Sequence, residues 1–204
     1  MQLYYAKGTI AIAVAIALHE AGLEFAPVRL DFKAGAQRQP AYHAINPKGR
    51  VPALVTDQGI VTETAAILDY IADLAPAAGL RPSDPWQAAK MREAMLYLAS
   101  TMHVNHAHRA RGARWANEES SLADMRAKAV ETMTESAHHV EDHMLQGPYV
   151  LGEAFSLADP YLWVATGWLE GDGVDPAPFP KIRAFREAMS ARASVAQVIA
   201  DDMI

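Results

Sequence analysis

The 204-residue sequence contains no cysteine. This absence excludes disulfide bonds, thiolate metal sites and any nucleophilic or redox-active thiol supplied by the protein itself. Long apolar segments are also missing, since the apolar run at residues 9–18 is far too short to cross a bilayer. No basic region followed by a long apolar run opens the chain, so we expect a cytoplasmic protein without a membrane partner.

Positive charge is scarce as well. The 18 lysine and arginine residues are outnumbered by 24 aspartate and glutamate residues, which gives a formal charge of −6. A nucleic acid as the main partner would require a concentrated basic face, and most of the chain has none. We therefore expect no nucleic-acid partner. The remaining composition, 51% apolar and 21% charged, is that of an ordinary globular protein.

Short apolar runs near the start of the chain predict two strands around a helix. Residues 3–5 and 25–30 are the strand candidates. Between them, residues 10–21 are almost continuously apolar, as in a helix that other elements cover on several sides. Gly22 supplies a C-terminal stop for this helix, and a polar, glycine-containing connection follows at 31–39.

The next segment predicts a hairpin followed by a second helix. Residues 46–50 have turn composition, and the strand at 51–55 begins with a proline, which only a strand start or an edge tolerates. A turn at 57–59 leads into another strand at 60–62. Residues 63–74 then carry apolar side chains on one face at helical spacing. The order of elements is βαβ followed by ββα.

Proline and glycine interrupt both periodicities at 77–84, which is the best candidate for a linker. Asp84 followed by Pro85 is a typical helix start, and nearly all of the chain beyond it has helical periodicity. We therefore predict an α/β domain over residues 1–76 and an all-helical domain over residues 85–204. The first of its helices has an apolar stripe typical of a core or a subunit interface. This stripe consists of Ala88, Met91, Met95, Leu98 and Met102.

Further helices follow in the second half of the chain. A second long helix is predicted at 120–145, and two or three shorter ones come after it. Ser156 and Asp159 precede an apolar helical run with the spacing of a capping box, in which an aspartate replaces the usual glutamate or glutamine. The role of this pair would be in folding and not in chemistry.

Two motifs in the first domain suit a ligand, one its α-amino acid head group and the other its peptide backbone. A helix that begins at Glu63–Thr64 has free N–H groups that favour an anion. The Thr64 hydroxyl would add a donor for a carboxylate, and Glu63 would hold an ammonium group. The alternative is that Thr62 or Thr64 only caps the helix. If the Val51–Pro52 peptide bond is cis, a minority conformation, the backbone of Val51 can pair with a ligand's peptide backbone.

Taken in order, these motifs resemble the cytosolic glutathione transferase family, closest to its bacterial beta class, along nearly the whole chain. The matching segments are residues 3–5 with Gly8, 46–49 with 51–54, 63–64 and 152–159. The resemblance implies a thioredoxin-like N-terminal domain and an all-helical C-terminal domain. It also implies a homodimer that uses glutathione as co-substrate without a metal, and a cis Val51–Pro52 bond.

The resemblance further assigns individual residues to glutathione. The γ-glutamyl end would lie on Glu63 and Thr64, and the cysteinyl backbone on Val51, next to Pro52. Lys33 lies in the connection that would pass over the glycyl end, where a lysine would meet the glycyl carboxylate.

One departure from the beta class concerns its cysteine at the start of the first helix. Ile10 stands at that position, and Ala11 follows where a serine is frequent. Catalysis would then rest on glutathione's own thiol, and lowering its pKa from about 8.5 to about 6.5 costs roughly 2.7 kcal/mol. A helix N-terminus supplies about 0.3–1 kcal/mol and a hydrogen bond to a charged acceptor about 1.5–3 kcal/mol. Tyr5 and Thr9 are the candidate donors, although a core aromatic and a helix cap would look the same.

His103 falls where the beta class has a histidine that reaches the active site, so we predict that it faces the cleft. Histidines and arginines are dense around it: His106, His108, Arg109, Arg111 and Arg114. This run would attract an anionic co-substrate, or it forms a solvated helix face.

The pairs His103/His106 and His139/His143 have helical spacing for a metal, but no adjacent glutamate completes a zinc pattern. We predict no metal.

The leading hypothesis is a homodimeric glutathione transferase that conjugates glutathione to a small electrophile held by the helical half. A glutathione-dependent peroxidase is the enzymatic alternative, because it also needs no protein thiol. A non-catalytic interaction module of the same fold is the third hypothesis. The absent cysteine favours the module, whereas residues 51–52 and 63–64 disfavour it.

Overall fold

The computed structural model describes residues 1–204 and begins with the predicted βαβ unit. Its elements are strand β1 at Gln2–Tyr5, helix α1 at Ala11–Glu20 and strand β2 at Ala26–Arg29. A 3-10 turn at Ala36–Arg38 and a short helix α2 at Pro40–His43 follow. The sequence predicts neither of these two short elements. Helix α2 forms because Pro40 occupies a first-turn position, where its missing N–H leaves no hydrogen bond unmade.

The predicted hairpin and second helix complete the first half. Strand β3 spans Ala53–Thr56, strand β4 spans Gly59–Thr62, and helix α3 spans Thr64–Leu74. The four strands form one sheet in the order β2-β1-β3-β4. Strand β1 pairs in parallel with β2 and antiparallel with β3, where Leu3 lies opposite Leu54. Strand β3 begins two residues later than predicted, because Pro52 has no N–H to contribute to a ladder.

The second half is helical, as predicted. Its helices are α4 (Pro85–Tyr97), α5 (His103–Arg111), α6 (Glu119–His139), α7 (Ala158–Thr166), α8 (Pro180–Ser190) and α9 (Ala193–Ala200). Helix α4 starts where the sequence places it, since the Asp84 carboxylate accepts a hydrogen bond from the Gln87 N–H at 2.9 Å. A π-helical turn at Leu98–Met102 joins α4 to α5. None of the helices combines the length and the apolar character needed to cross a membrane. The domain boundary at 77–84 stays a prediction.

Helix α1 lies at the centre of the hydrophobic core. Its residues from Ala11 to Leu18 are all buried, because the helix contacts α3 in the first half and α7 and α9 in the second. The predicted apolar stripe, which runs along α4 and the π-helical turn after it, is also buried within this single chain. The stripe is therefore core and gives no support to a subunit interface.

Asp159 anchors the loop that precedes α7. Its fully buried carboxylate accepts hydrogen bonds from the Ser156 N–H at 2.6 Å, the Ser156 hydroxyl at 3.1 Å and the Val150 N–H at 2.8 Å. The acidic half of the predicted capping box is thus formed, but the serine hydroxyl donates to the carboxylate instead of accepting from the backbone. Burial raises the pKa of Asp159 to about 6.

Candidate functional site

The loop before strand β3 is built around the backbone carbonyl of Arg50. The Tyr42 hydroxyl and the Asn46 side-chain amide both donate to this carbonyl at 2.7 Å. Both side chains are buried, and burial raises the pKa of the Tyr42 phenol to about 12, so it remains a donor at neutral pH. The following Val51–Pro52 peptide bond is cis, as the resemblance implies.

Val51 presents two free backbone groups in this loop. Neither its N–H nor its C=O makes a hydrogen bond within the chain, and the residue is only half-buried. An adjacent donor and acceptor on one residue can pair with the peptide backbone of an extended ligand, in the manner of an added strand. Val51 therefore offers the kind of contact that the sequence analysis expects.

Glu63 and Thr64 lie at the start of helix α3. Glu63 has a φ of 74°, which is rare for a residue with a side chain and is often found at functional sites. Its carboxylate forms an ion pair with Lys48, whose ammonium group also donates to the Thr62 hydroxyl at 2.7 Å. Thr64 is buried beside Tyr161, and burial raises the pKa of that tyrosine. The junction thus combines an exposed carboxylate with a helix N-terminus.

The start of helix α1 carries the two residues that replace the beta-class pattern. The Ile10 side chain is buried in the core and makes no capping hydrogen bond. The backbone N–H groups of Ile10 and Ala11 have no acceptor within the chain. The Thr9 hydroxyl donates to the Ala6 carbonyl at 2.6 Å, and the Thr9 N–H uses the same acceptor at 3.2 Å. The helix N-terminus therefore retains two free donors, but the Thr9 hydroxyl proton is already used.

Tyr5 ends strand β1, directly before this turn. The residue is 6% exposed and packs in the core. Its hydroxyl makes no hydrogen bond within the chain, yet it is not among the fully buried unpartnered polar atoms. The hydroxyl of Tyr5 is therefore free to donate to a ligand, in contrast to that of Thr9.

The helical half approaches the same turn through Trp168. Its indole N–H donates to the Gly8 carbonyl at 3.3 Å. The His106 ring stacks on Trp168 with a centroid distance of 4.2 Å, and the His103 ring lies 5.0 Å from it. His106 is held in turn by the buried Asp172, 2.7 Å from its Nδ1. This network brings His103 close to Trp168, which in turn bonds to the β1–α1 turn. That His103 faces the cleft stays a prediction.

Burial lowers the pKa of the His103 imidazole to about 4, and the positive charges of His106, Arg111, Arg114 and Arg50 act in the same direction. His103 is therefore uncharged at neutral pH. Because the folded state disfavours the protonated ring, the stability that this histidine contributes is present above its unfolded pKa of about 6.5. It is lost as the pH falls from there toward the folded value.

We therefore expect acid to destabilise the wild-type protein more than the His103→Gln variant. Between about pH 7 and about pH 5, the wild type should lose roughly 1–2 kcal/mol more unfolding free energy than the variant, measured by urea denaturation. His43→Gln, a change at an exposed histidine, should behave like the wild type. Equal acid sensitivity of the wild type and His103→Gln would contradict the assignment.

Lys33 lies in the connection between β2 and α2. Its backbone N–H donates to the Asp31 carboxylate at 2.9 Å, while its exposed side chain forms no ion pair. The connection packs against the loop before β3, because a Cβ on Gly49 would lie 2.9 Å from the Gln37 carbonyl oxygen. Gly49 has a φ of 60°, so both the backbone conformation and the close approach require glycine. The contact of Lys33 with a glycyl carboxylate stays a prediction.

Other surface features lie away from this site. Two open depressions, of about 670 and 630 Å³, share His19 in their linings and flank the C-terminal end of α1. No group of three histidine, aspartate or glutamate side chains is arranged to hold a metal ion. The polar groups described above belong instead to the β1–α1 turn, the loop before β3 and the start of α3, together with α5 and Trp168 of the helical half, and we call this region the groove.

Comparison with known proteins identifies the family. The model of the glutathione S-transferase N-terminal domain matches residues 1–73, and that of the C-terminal domain matches residues 107–188. A crystal structure of a glutathione transferase homologue from Sulfitobacter, with bound glutathione, is 59% identical to this chain. It has a TM-score of 0.98 and covers 100% of this chain and 98% of that one. The chain belongs to the glutathione S-transferase family.

More distant relatives differ in their reactions. Glutathione S-transferase GstA of Escherichia coli O157:H7 is 29% identical over 96% of this chain and 95% of its own length. Maleylacetoacetate isomerase of Pseudomonas aeruginosa is 30% identical over 97% of this chain and 94% of its own length. Membership of the glutathione S-transferase family thus does not specify the reaction, which depends on the chemistry of the site.

Several residues around these motifs have contacts that the sequence analysis does not predict. Lys48 belongs to the segment 46–49, but its ion pair with Glu63 is not predicted, and Trp168 is treated only as part of an apolar run. Asp172 carries no local signal, because its partner His106 is 66 positions away. The tyrosine and asparagine that hold the Arg50 carbonyl are likewise separated from it in the sequence, by 8 and 4 positions.

Proposed function

We propose that this glutathione S-transferase binds glutathione along the groove and conjugates its thiolate to a small electrophile. The proposal rests on Val51. Its N–H and C=O are both free of hydrogen bonds within the chain, so they can pair with the peptide backbone of a tripeptide. Glu63 and the first turn of α3 would take the α-ammonium and α-carboxylate of the γ-glutamyl end. The bound glutathione in the Sulfitobacter homologue supports this choice of ligand.

The chemistry needs a thiolate that only glutathione can supply, since the protein has no cysteine. The thiol proton would leave to solvent, and the sulfur would be stabilised by the free N–H groups of Ile10 and Ala11 and by a hydroxyl donor. The thiolate forms a carbon–sulfur bond as the leaving group departs with its electron pair. His103, in its uncharged form, lies beside Trp168, whose indole N–H donates to the Gly8 carbonyl before α1.

Tyr5 is expected to matter more than Thr9 for thiolate formation, because its hydroxyl proton is free while that of Thr9 is used. The Tyr5→Phe variant should raise the pKa of bound glutathione's thiol by about one unit and slow turnover by roughly 10-fold. Thr9→Val, which has a similar shape, should change the pKa by much less. Ultraviolet titration of the bound thiolate measures both variants. An unchanged pKa in Tyr5→Phe would exclude Tyr5 as the donor.

Two other glutathione-dependent reactions, hydroperoxide reduction and isomerisation, differ from conjugation in what happens to glutathione. Reduction of a hydroperoxide by two glutathione molecules would yield an alcohol, water and glutathione disulfide, and it also needs no protein thiol. An isomerisation, as in the maleylacetoacetate isomerase relative, would leave glutathione unconsumed. Measuring free thiol, disulfide and thioether after incubation with each substrate type separates the three reactions. Binding without any turnover would support the interaction module instead.

We also propose that the protein is a cytoplasmic homodimer active in detoxification. The apolar residues Leu74, Trp86 and Leu96 are 40%, 69% and 60% exposed, and they supply apolar surface that a second copy would cover. Sedimentation velocity would test the dimer, and a monomer at all concentrations would exclude it.

A further inference from the structure

His106 and Asp172 form a histidine–carboxylate pair in the helical half. The His106 Nδ1 atom lies 2.7 Å from Asp172 Oδ2, and this carboxylate is buried. Since an ionised carboxylate only accepts hydrogen bonds, Nδ1 carries the hydrogen of this bond. Among the eight histidines of the chain, His106 is the only one whose ring bonds to a buried carboxylate.

The other ring nitrogen of His106, Nε2, is free. It makes no hydrogen bond within the chain, and it is not among the fully buried polar atoms that lack a partner. An imidazole with one nitrogen held by a carboxylate and the other one free is the arrangement of a general acid–base group. The carboxylate fixes the tautomer of the ring and stabilises the imidazolium ion when it forms.

Arg109 balances the charge of the buried carboxylate. It follows His106 by three residues on α5, and its Nη1 atom lies 3.6 Å from Asp172 Oδ1. A buried carboxylate requires a positive partner, and a guanidinium group is permanently charged. Asp172 therefore does not depend on a protonated His106, and the ring can gain and lose a proton while the pair stays intact. The nearest other histidine is His103, with a distance of 6.4 Å between the ring centroids.

Trp168 connects this pair to the proposed thiolate site. The His106 ring stacks on the Trp168 indole with a centroid distance of 4.2 Å and an interplanar angle of 16°. The Asp172 N–H donates to the Trp168 carbonyl at 2.9 Å. The Trp168 indole N–H donates in turn to the carbonyl of Gly8, two residues before Ile10. One side chain therefore separates His106 from the turn where the sulfur of glutathione would lie.

Some electrophiles need a proton when they react with a thiolate. When the thiolate adds to a carbon–carbon double bond conjugated to a carbonyl, no group leaves, and the electron pair of the double bond forms an enolate. The enolate has to be protonated at its α-carbon before the product can leave. A halide, in contrast, departs as a stable anion. His103 cannot supply the proton at neutral pH, because burial lowers its pKa to about 4.

We propose that His106 donates a proton from Nε2 to the enolate formed when glutathione adds to an activated double bond, with Asp172 as the positioning residue. The inference rests on the proposed function and names α,β-unsaturated carbonyl compounds as its electrophiles. The thiolate forms the carbon–sulfur bond at the β-carbon, and the imidazolium proton moves to the α-carbon. The imidazole then takes a proton from solvent, which has received one from the thiol, so the addition is balanced.

Two substrates that differ in their need for a proton test the proposal. The probes are 4-phenyl-3-buten-2-one, an enone that has to be protonated, and 1-chloro-2,4-dinitrobenzene, which releases chloride. His106→Asn keeps a donor for Asp172 and removes Nε2, whereas His106→Phe keeps an aromatic ring against Trp168. Each variant should lower kcat/KM for the enone by about 100-fold and leave kcat/KM for the chloride substrate almost unchanged. Turnover of the chloride substrate shows at the same time that the variant is folded.

Two further variants complete the experiment. Asp172→Asn should lower kcat for the enone by roughly 10-fold and leave the KM for glutathione and the rate with the chloride substrate unchanged. His138→Asn is the matched control, because His138 also has an aspartate partner, 3.8 Å away, but is exposed on α6. This control should react with both substrates at the wild-type rates.

The outcomes distinguish this proposal from the proposed function. Loss of the enone reaction alone in both His106 variants supports the role of Nε2. If either variant retains the enone rate, Nε2 is not the proton donor. If both variants lose both reactions equally, the pair only holds Trp168 in place, and the proposal is again wrong. A wild type that binds glutathione without conjugating the enone contradicts the proposal alone, and one that does not bind glutathione contradicts the proposed function itself.

Discussion

Replacing Glu63 by glutamine is expected to weaken glutathione binding by about 100-fold. Glu63 is the only carboxylate at the start of α3, and the proposed site uses it to neutralise the α-ammonium of the γ-glutamyl end. A hydrogen bond between charged groups contributes about 1.5–3 kcal/mol. Without the carboxylate, the ammonium would meet the positive end of the α3 dipole and the Lys48 side chain, which adds roughly 0.3–1 kcal/mol of repulsion.

Calorimetry of glutathione binding measures this effect directly. The glutamine keeps the shape of the side chain and its unusual backbone position, so the change isolates the charge. Glu24→Gln, at an exposed glutamate without an ion pair, should bind glutathione like the wild type. An affinity within about threefold of wild type for Glu63→Gln would remove Glu63 from the site. The γ-glutamyl assignment would then pass to the helix N-terminus alone.

Replacing Asp159 by asparagine is expected to cost about 3–5 kcal/mol of unfolding free energy. The fully buried carboxylate accepts three hydrogen bonds, two from backbone N–H groups and one from a serine hydroxyl. An asparagine replaces one acceptor oxygen by an NH₂ donor, which would face a donor in a buried setting. Each donor left without an acceptor costs about 1–3 kcal/mol, and disruption of buried networks is among the few mechanisms with effects of this size.

Urea and thermal denaturation measure the loss of stability. In a chain of this length, the expected change corresponds to a drop in Tm of roughly 6–20 °C. Asp124→Asn, at an exposed aspartate on α6 without a partner, should change the unfolding free energy by less than about 0.5 kcal/mol. A small loss in Asp159→Asn as well would show that the Ser156 and Val150 donors find other acceptors.

Much of the fold could be predicted from local sequence chemistry. The strands, the hairpin and helices α1 and α3 follow from apolar periodicity and from glycine and proline at turns, since these signals act over a few residues. The start of α4 follows from Asp84 and Pro85 for the same reason. The exact start of β3 and the short helix α2 could not be predicted, because both depend on which backbone groups find hydrogen-bond partners.

In the candidate site, too, only the residues that belong to contiguous motifs could be predicted from the sequence. Residues 51–52 and 63–64 are recognisable because each motif is contiguous, and the family resemblance orders them along the chain. The different states of the Tyr5 and Thr9 hydroxyls could not be read, since one depends on whether the Ala6 carbonyl lies within reach. The same holds for the bond from Trp168 to Gly8, which joins residues 160 positions apart.

The sequence by itself therefore determined the order of elements, the absence of a protein thiol and the contiguous motifs of the groove. Only the tertiary structure decided that the methionine stripe is core, that the half-buried His103 is uncharged, and that Trp168 of the helical half donates to the Gly8 carbonyl. These properties depend on distances between residues far apart in the sequence. Such distances are set when the helical half packs against helix α1 and the sheet, and no local pattern encodes them.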